Sequence, residues 1–201
     1  MILTAGDSFT YGDELDDRIN SAWPYLLANK LSTSVLNLGE SGASNDTIVR
    51  LILEQTCQRR FDLVIVAWTD PERFEAWSEL LQRPISIMHN SQAGLPWTDD
   101  YYRYSYNSKY SYQLWFQQVL LLQQYLNSIK QPYLFVNVAG LYDQHTQNHA
   151  ITQHIDSSRY PGWPTDGILE WTRDLARGPD GHPLESGHQR VADEIYEYTR
   201  N

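Results

Sequence analysis

Residues 61–68, FDLVIVAW, form an almost unbroken apolar run with one charge, Asp62, near its start. A run this short, with three β-branched residues at its centre, reads as a strand buried on both faces. Such strands belong to parallel sheets covered by helices. Three comparable runs punctuate the chain: ILTAG at 2–6, SVLNLG at 34–39 and PYLFVNV at 132–138. Between them, apolar residues recur at helical spacing. The segments are 21–31, with Ser21 as its expected cap; 45–56, with Ile48, Leu51, Ile52 and Gln55 on one face; 112–129; and 186–198, with Val191, Ile195 and Tyr198 inward. Strands alternating with helices specify an α/β chain with a parallel sheet and helices on both faces. Ligands of such sheets bind beyond the carboxyl ends of the strands. Ser8, Gly39 and Thr69 all follow expected strand ends.

A length of 201 residues suits one domain, 1–201, able to bury a core. Hydrophobic residues at 41% and charged residues at 20% mark it as globular. A net charge of −10 argues against nucleic acid as a partner. Cys57 is the lone cysteine, so no internal disulfide is expected. No stretch approaches the roughly 20 apolar residues of a membrane span, and Met1 leads straight into the first strand. The expected compartment is therefore the cytoplasm, with no membrane partner. Two segments, about 70–111 and 139–180, interrupt the alternation and are rich in Trp, Tyr, Asp, Asn and Gly. They read as ordered insertions framing a site. Within the first, Pro71 to Arg73 read as a turn into a helix.

Ser8 stands between Gly6 and Gly12 at the mouth of the first strand. A serine there is either a cap or a nucleophile, and a nucleophile needs a base, usually His. Of six histidines, His182 lies in GPDGHPLESGH, just before the last helix. That connection returns to the carboxyl edge of the sheet, so Ser8 and His182 can meet. His188, inside the last helix, reads as a partly exposed helix residue. The nucleophile-elbow pattern GxSxG is absent around Ser8. His145 and His149 have the i, i+4 spacing of a zinc pair, but HExxH is absent and no third ligand stands near. No metal and no cofactor are expected.

GDSFTYG at 6–12 with DGHP at 180–183 resembles the SGNH (GDSL-type) hydrolase family, over Gly6 to Ala192. The resemblance implies a flavodoxin-like three-layer α/β/α fold and ester hydrolysis by a Ser-His-Asp triad. It implies Ser8 as nucleophile, His182 as base and Asp180 as the orienting acid, with Asp174 in reserve. The family's glycine block matches Asn37, Gly39, Ser41 and Gly42, which implies that the N–H groups of Ser8 and Gly42 are oxyanion donors. Two positions depart from the pattern. AWTD at 67–70 places Thr69 where the family has asparagine, and Asp180 precedes His182 by two residues instead of three. The expected side-chain donor to the oxyanion is therefore the Thr69 hydroxyl or Asn45.

The function expected is a metal-independent serine esterase acting on a small-acyl ester, such as an O-acyl group on a glycan. Substrate contacts fall to Trp68, Arg73 and the aromatic segments 101–112 and 159–164, with Trp163 available to stack on a sugar. Two other readings share the scaffold: a non-catalytic module binding a glycan or a protein, and an acyltransferase. Fold alone does not choose among them.

Overall fold

The computed structural model describes residues 1–89, 95, 97–140 and 150–200. Strands β1 (Ile2–Ala5), β2 (Val35–Asn37), β3 (Leu63–Trp68) and, after two insertion strands, β6 (Tyr133–Asn137) form a sheet in the order β2-β1-β3-β6. Every pairing is parallel: Leu3 registers with Leu36 and Val64, and Val66 with Phe135. Alternate side chains feed two cores. Leu3, Val64, Val66, Trp68 and Phe135 face one, while Ile2, Ile65, Ala67, Leu134 and Val136 face the other.

Chain order gives the helices α1 (Ser8–Tyr11), α2 (Arg18–Ser21), α3 (Trp23–Lys30), α4 (Asn45–Thr56), α5 (Thr98–Asp100), α6 (Ser108–Ser128), α7 (Ile168–Trp171) and α8 (Glu185–Thr199). The first core is closed by Ile48 and Ile52 of α4 and by Trp115, Phe116 and Val119 of α6. The second is closed by Trp23 and Leu27 of α3 and by Val191 and Ile195 of α8. Each fully buried aliphatic side chain contributes about 1.5–3 kcal/mol. The layers are helix, sheet, helix, as the periodicity requires. Among the described residues no helix is long and apolar enough to cross a membrane.

Local details depart from the sequence reading. Helix α6 starts one turn before residue 112, because the Asn107 side chain caps it by accepting from Tyr110 N–H. The turn at Pro71 leads into an antiparallel hairpin, β4 (Phe74–Ser78) with β5 (Arg83–Ile87), instead of a helix. Glu75 of this hairpin is held by the Arg50 guanidinium of α4 at 2.8 Å.

Ser21 does not cap α3. The N-cap is Ala22, which has no side-chain bond to offer, and the Trp23 N–H is taken instead by Nδ1 of His188 at 3.2 Å. His188 is thus fully buried, not partly exposed. Since Nδ1 accepts, the proton sits on Nε2, which has no hydrogen-bond partner among the described residues. Burial pushes this imidazole down from 6.5 to about 4. The unfolded chain takes up this proton near pH 6.5 and the folded chain only near pH 4, so stability falls as pH falls through that window. The loss expected is about 3 kcal/mol. Urea titrations at pH 7 and pH 4.5 should show it in the wild type and show much less in His188→Gln. Equal pH slopes in the two proteins would refute this account.

Candidate functional site

The β1 strand ends at Ala5, and Asp7 caps the short helix that follows, its Oδ1 accepting from Phe9 N–H at 3.0 Å. This places Ser8 as the first residue of α1, beyond the carboxyl end of the sheet. Six residues on, Glu14 adopts left-handed backbone (φ 66), a conformation that costs a side-chain-bearing residue about 1 kcal/mol or more and persists only where the surroundings hold it. What holds it is the segment around His182. Glu14 Oε1 accepts from Asp180 N–H at 2.9 Å, and Oε2 accepts from His182 N–H at 3.0 Å. The same Oε2 lies 2.9 Å from His182 Nδ1. The imidazole packs on Phe9, the neighbour of Ser8, with centroids 5.2 Å apart.

The acid facing His182 is therefore Glu14 and not Asp180. With only Gly181 between them, Asp180 and His182 both turn their N–H groups to one carboxylate, and the Asp180 side chain is left exposed, as is Asp174. Those N–H bonds, Asp180's first, hold the Glu14 carboxyl below its ordinary value and so keep it ionised. Its charge fixes the imidazole tautomer with the proton on Nδ1, which leaves Nε2 as the acceptor. Ser8 Oγ and His182 Nε2 make no hydrogen bond to each other or to other described residues; in resting sites such bonds are commonly long and tighten on substrate.

The expected side-chain oxyanion donors are both committed elsewhere. Thr69 is buried, and its hydroxyl donates to Asp7 Oδ2 at 2.5 Å. Asn45 is buried too. It donates from Nδ2 to the Thr69 carbonyl at 3.1 Å and accepts from the Thr69 N–H at 3.0 Å, zipping the end of β3 to the start of α4. Gly39 lies so close to α1 that a Cβ there would come within 2.5 Å of the Tyr11 nitrogen, and Gly42 turns at φ +73. Asp7 is fully buried; burial pushes its carboxyl up, while the Arg73 guanidinium and the Thr69 hydroxyl draw it back down.

Two clefts adjoin this edge. One, of about 210 Å³, is lined by Asp7, Phe9, Trp68, Thr69, Arg73 and Asn137 among others. The other, of about 650 Å³, is a polar groove shared with Gly42 and lined by Glu40, Arg50, Arg83 and Met88. Trp68 thus reaches the smaller cleft, although most of its ring is core, edge-on to Phe135 at 5.3 Å. Trp163 lines neither cleft. It is partly buried against the first core, packed on Tyr160 at 4.7 Å and near Phe116 and Trp115. His145 and His149 lie outside the described residues. Among the described residues no cluster of three His, Cys, Asp or Glu could hold a metal ion.

No family model matches the sequence, and no curated relative matches it. Solved structures do. A carbohydrate esterase family 2 enzyme with a carbohydrate-binding domain from Corynascus thermopiles (Myceliophthora fergusii) superposes with a TM-score of 0.60 at 16% identity, over 98% of this chain and 64% of that one. An acetyl xylan esterase, Est2A, from the rumen bacterium Butyrivibrio proteoclasticus gives 0.61 at 12% identity, over 100% and 63%. The chain thus spans a little under two thirds of these two proteins. A putative lipolytic protein of the G-D-S-L family from Desulfitobacterium hafniense gives 0.54 at 12%, over 98% of both chains.

The fold is that of the SGNH hydrolases.

On this SGNH scaffold, three residues at this edge of the sheet escape a reading of the sequence. Glu14 carries no motif of its own, and only its place in the loop after Ser8 marks it. Phe9 is a platform for the imidazole. Asn137, at the end of β6, left a signal: an amide inside PYLFVNV, where every neighbour is apolar or Pro apart from the Tyr hydroxyl. It is buried, its Oδ1 accepts from the Tyr160 hydroxyl, and its Nδ2 has no hydrogen-bond partner among the described residues while the residue lines the smaller cleft.

Proposed function

We propose that this protein is a serine esterase that removes a small acyl group from a polar alcohol, with Ser8, His182 and Glu14 as its triad. The observation that carries the reading is the docking of His182. Its Nδ1 is engaged by the Glu14 carboxylate, its ring rests on the residue next to Ser8, and its Nε2 is left for the serine. In the reaction, Ser8 Oγ attacks the ester carbonyl as its proton passes to His182 Nε2. Glu14 stabilises the imidazolium through Nδ1–H. The proton then goes to the leaving alcohol as the carbonyl re-forms, giving an acyl-enzyme. Water, deprotonated by the same Nε2, hydrolyses it. The N–H groups of Ser8 and Gly42 are the backbone donors to the oxyanion.

A cleft of about 210 Å³ suits a short acyl chain, and the polar groove beside Gly42 suits a hydrophilic alcohol. The carbohydrate esterase and the acetyl xylan esterase that share the fold support a glycan as that alcohol. A fluorophosphonate probe tests the activation of Ser8. The expected result is one adduct, on a peptide containing Ser8, absent in Ser8→Ala. A wild-type protein that takes no label would favour the non-catalytic binding module.

A further inference from the structure

The SGNH pattern calls for a side-chain donor where Thr69 stands, and here the Thr69 hydroxyl is spent on Asp7 while the Asn45 amide is tied to the Thr69 backbone. One cation stands beside the same place. Arg73 enters from the turn after β3, and its Nη1 donates to Asp7 Oδ2 at 3.1 Å and to the Ala43 carbonyl at 3.3 Å. Asp7 directly precedes Ser8, and Ala43 directly follows Gly42. A single nitrogen of Arg73 thus bridges the residues flanking the two backbone donors. The remaining N–H groups, on Nε and Nη2, have no partner among the described residues, and Arg73 lines the smaller cleft with its side chain 19% exposed.

We propose that Arg73 is the third oxyanion donor. This rests on the serine-esterase reading above. When Ser8 Oγ bonds to the carbonyl carbon, the π pair moves onto the carbonyl oxygen, and that oxygen accepts from the Arg73 fork as well as from the N–H groups of Ser8 and Gly42. A charged donor at a half-buried site makes a stronger bond to an anion than a neutral amide does. Asp7 is then a positioning residue. Locked under Thr69 and the Phe9 N–H, it aims the guanidinium and offsets its charge, so the fork meets the developing oxyanion already oriented.

Arg73→Met alone strands the buried Asp7 carboxylate and risks the fold. The informative comparison is therefore Asp7→Asn against Asp7→Asn/Arg73→Met, which removes the pair together. The substrate is p-nitrophenyl acetate, and circular dichroism monitors folding. Adding Arg73→Met should lower kcat by about 10²–10³-fold, the value of one oxyanion donor. KM should move by less than about threefold, because the oxyanion exists only in the transition state. The rate of fluorophosphonate labelling at Ser8 should fall too, since the phosphoryl oxygen enters the same hole. A kcat within about threefold of Asp7→Asn, or a loss confined to KM, overturns the proposal. Absence of labelling in the wild type would sink the esterase reading itself, which keeps the two failures apart.

Discussion

Replacing Ser8 with alanine should abolish hydrolysis of p-nitrophenyl acetate, with turnover falling by up to roughly a millionfold. The same loss is expected for His182→Ala. Without Oγ there is nothing to acylate; without the imidazole the hydroxyl keeps its proton at neutral pH and is a poor nucleophile. The two changes break one unit, so Ser8→Ala/His182→Ala should be no slower than either single variant. The fold should survive. Ser8 is a small residue whose helix is capped by Asp7, and His182 sits in a loop pinned mainly through backbone N–H groups to Glu14. Initial rates on protein of matched far-ultraviolet dichroism provide the check. A Ser8→Ala protein keeping even a tenth of the wild-type rate, about 10⁻¹, would place the nucleophile elsewhere.

The second large effect belongs to Glu14. In Glu14→Gln the amide keeps the size of the carboxylate, but its NH₂ group can turn toward Nδ1 of His182. The imidazole then carries its proton on Nε2, where it cannot accept from Ser8. Loss of the acid in a serine triad lowers turnover by about 10⁴. Asp180→Ala removes only an exposed side chain, because Asp180 contributes its backbone N–H, and should leave turnover within about threefold of wild type. The contrast between the variants is the test. If Asp180→Ala is the crippled one, the acid assigned from the structure is wrong and the one implied by resemblance is right.

The sheet was legible because hydrophobic periodicity reports burial, and burial is what fixes four parallel strands between two helical layers. FDLVIVAW needed no other context. The meeting of the Ser8 and His182 segments was legible because topology brings the first strand's end and the last helix's start to one edge. Hydrogen-bond partners were another matter. Thr69 and Asn45 have the right chemistry for an oxyanion, but the Thr69 hydroxyl is taken by Asp7 and the Asn45 amide is tied to the Thr69 backbone, which no spacing rule reveals. Glu14 depends on a backbone conformation unusual for its residue type and on a segment that arrives from the far end of the chain. His188 was misread because a single polar residue on an amphipathic helix is usually solvated, and here it caps another helix in the core.

The contact between Glu14 and His182 joins positions 168 residues apart. Nucleophile, acid and the Arg73 fork all come from the first half of the chain, and the base alone comes from its last tenth. As the polypeptide leaves the ribosome, every other part of the proposed machinery is made long before the imidazole exists. Closing so long a loop is slow compared with local folding. On the proposed mechanism, a nascent or C-terminally truncated chain is therefore inert toward esters. The onset of turnover then reports the moment at which the two ends of the molecule have come together.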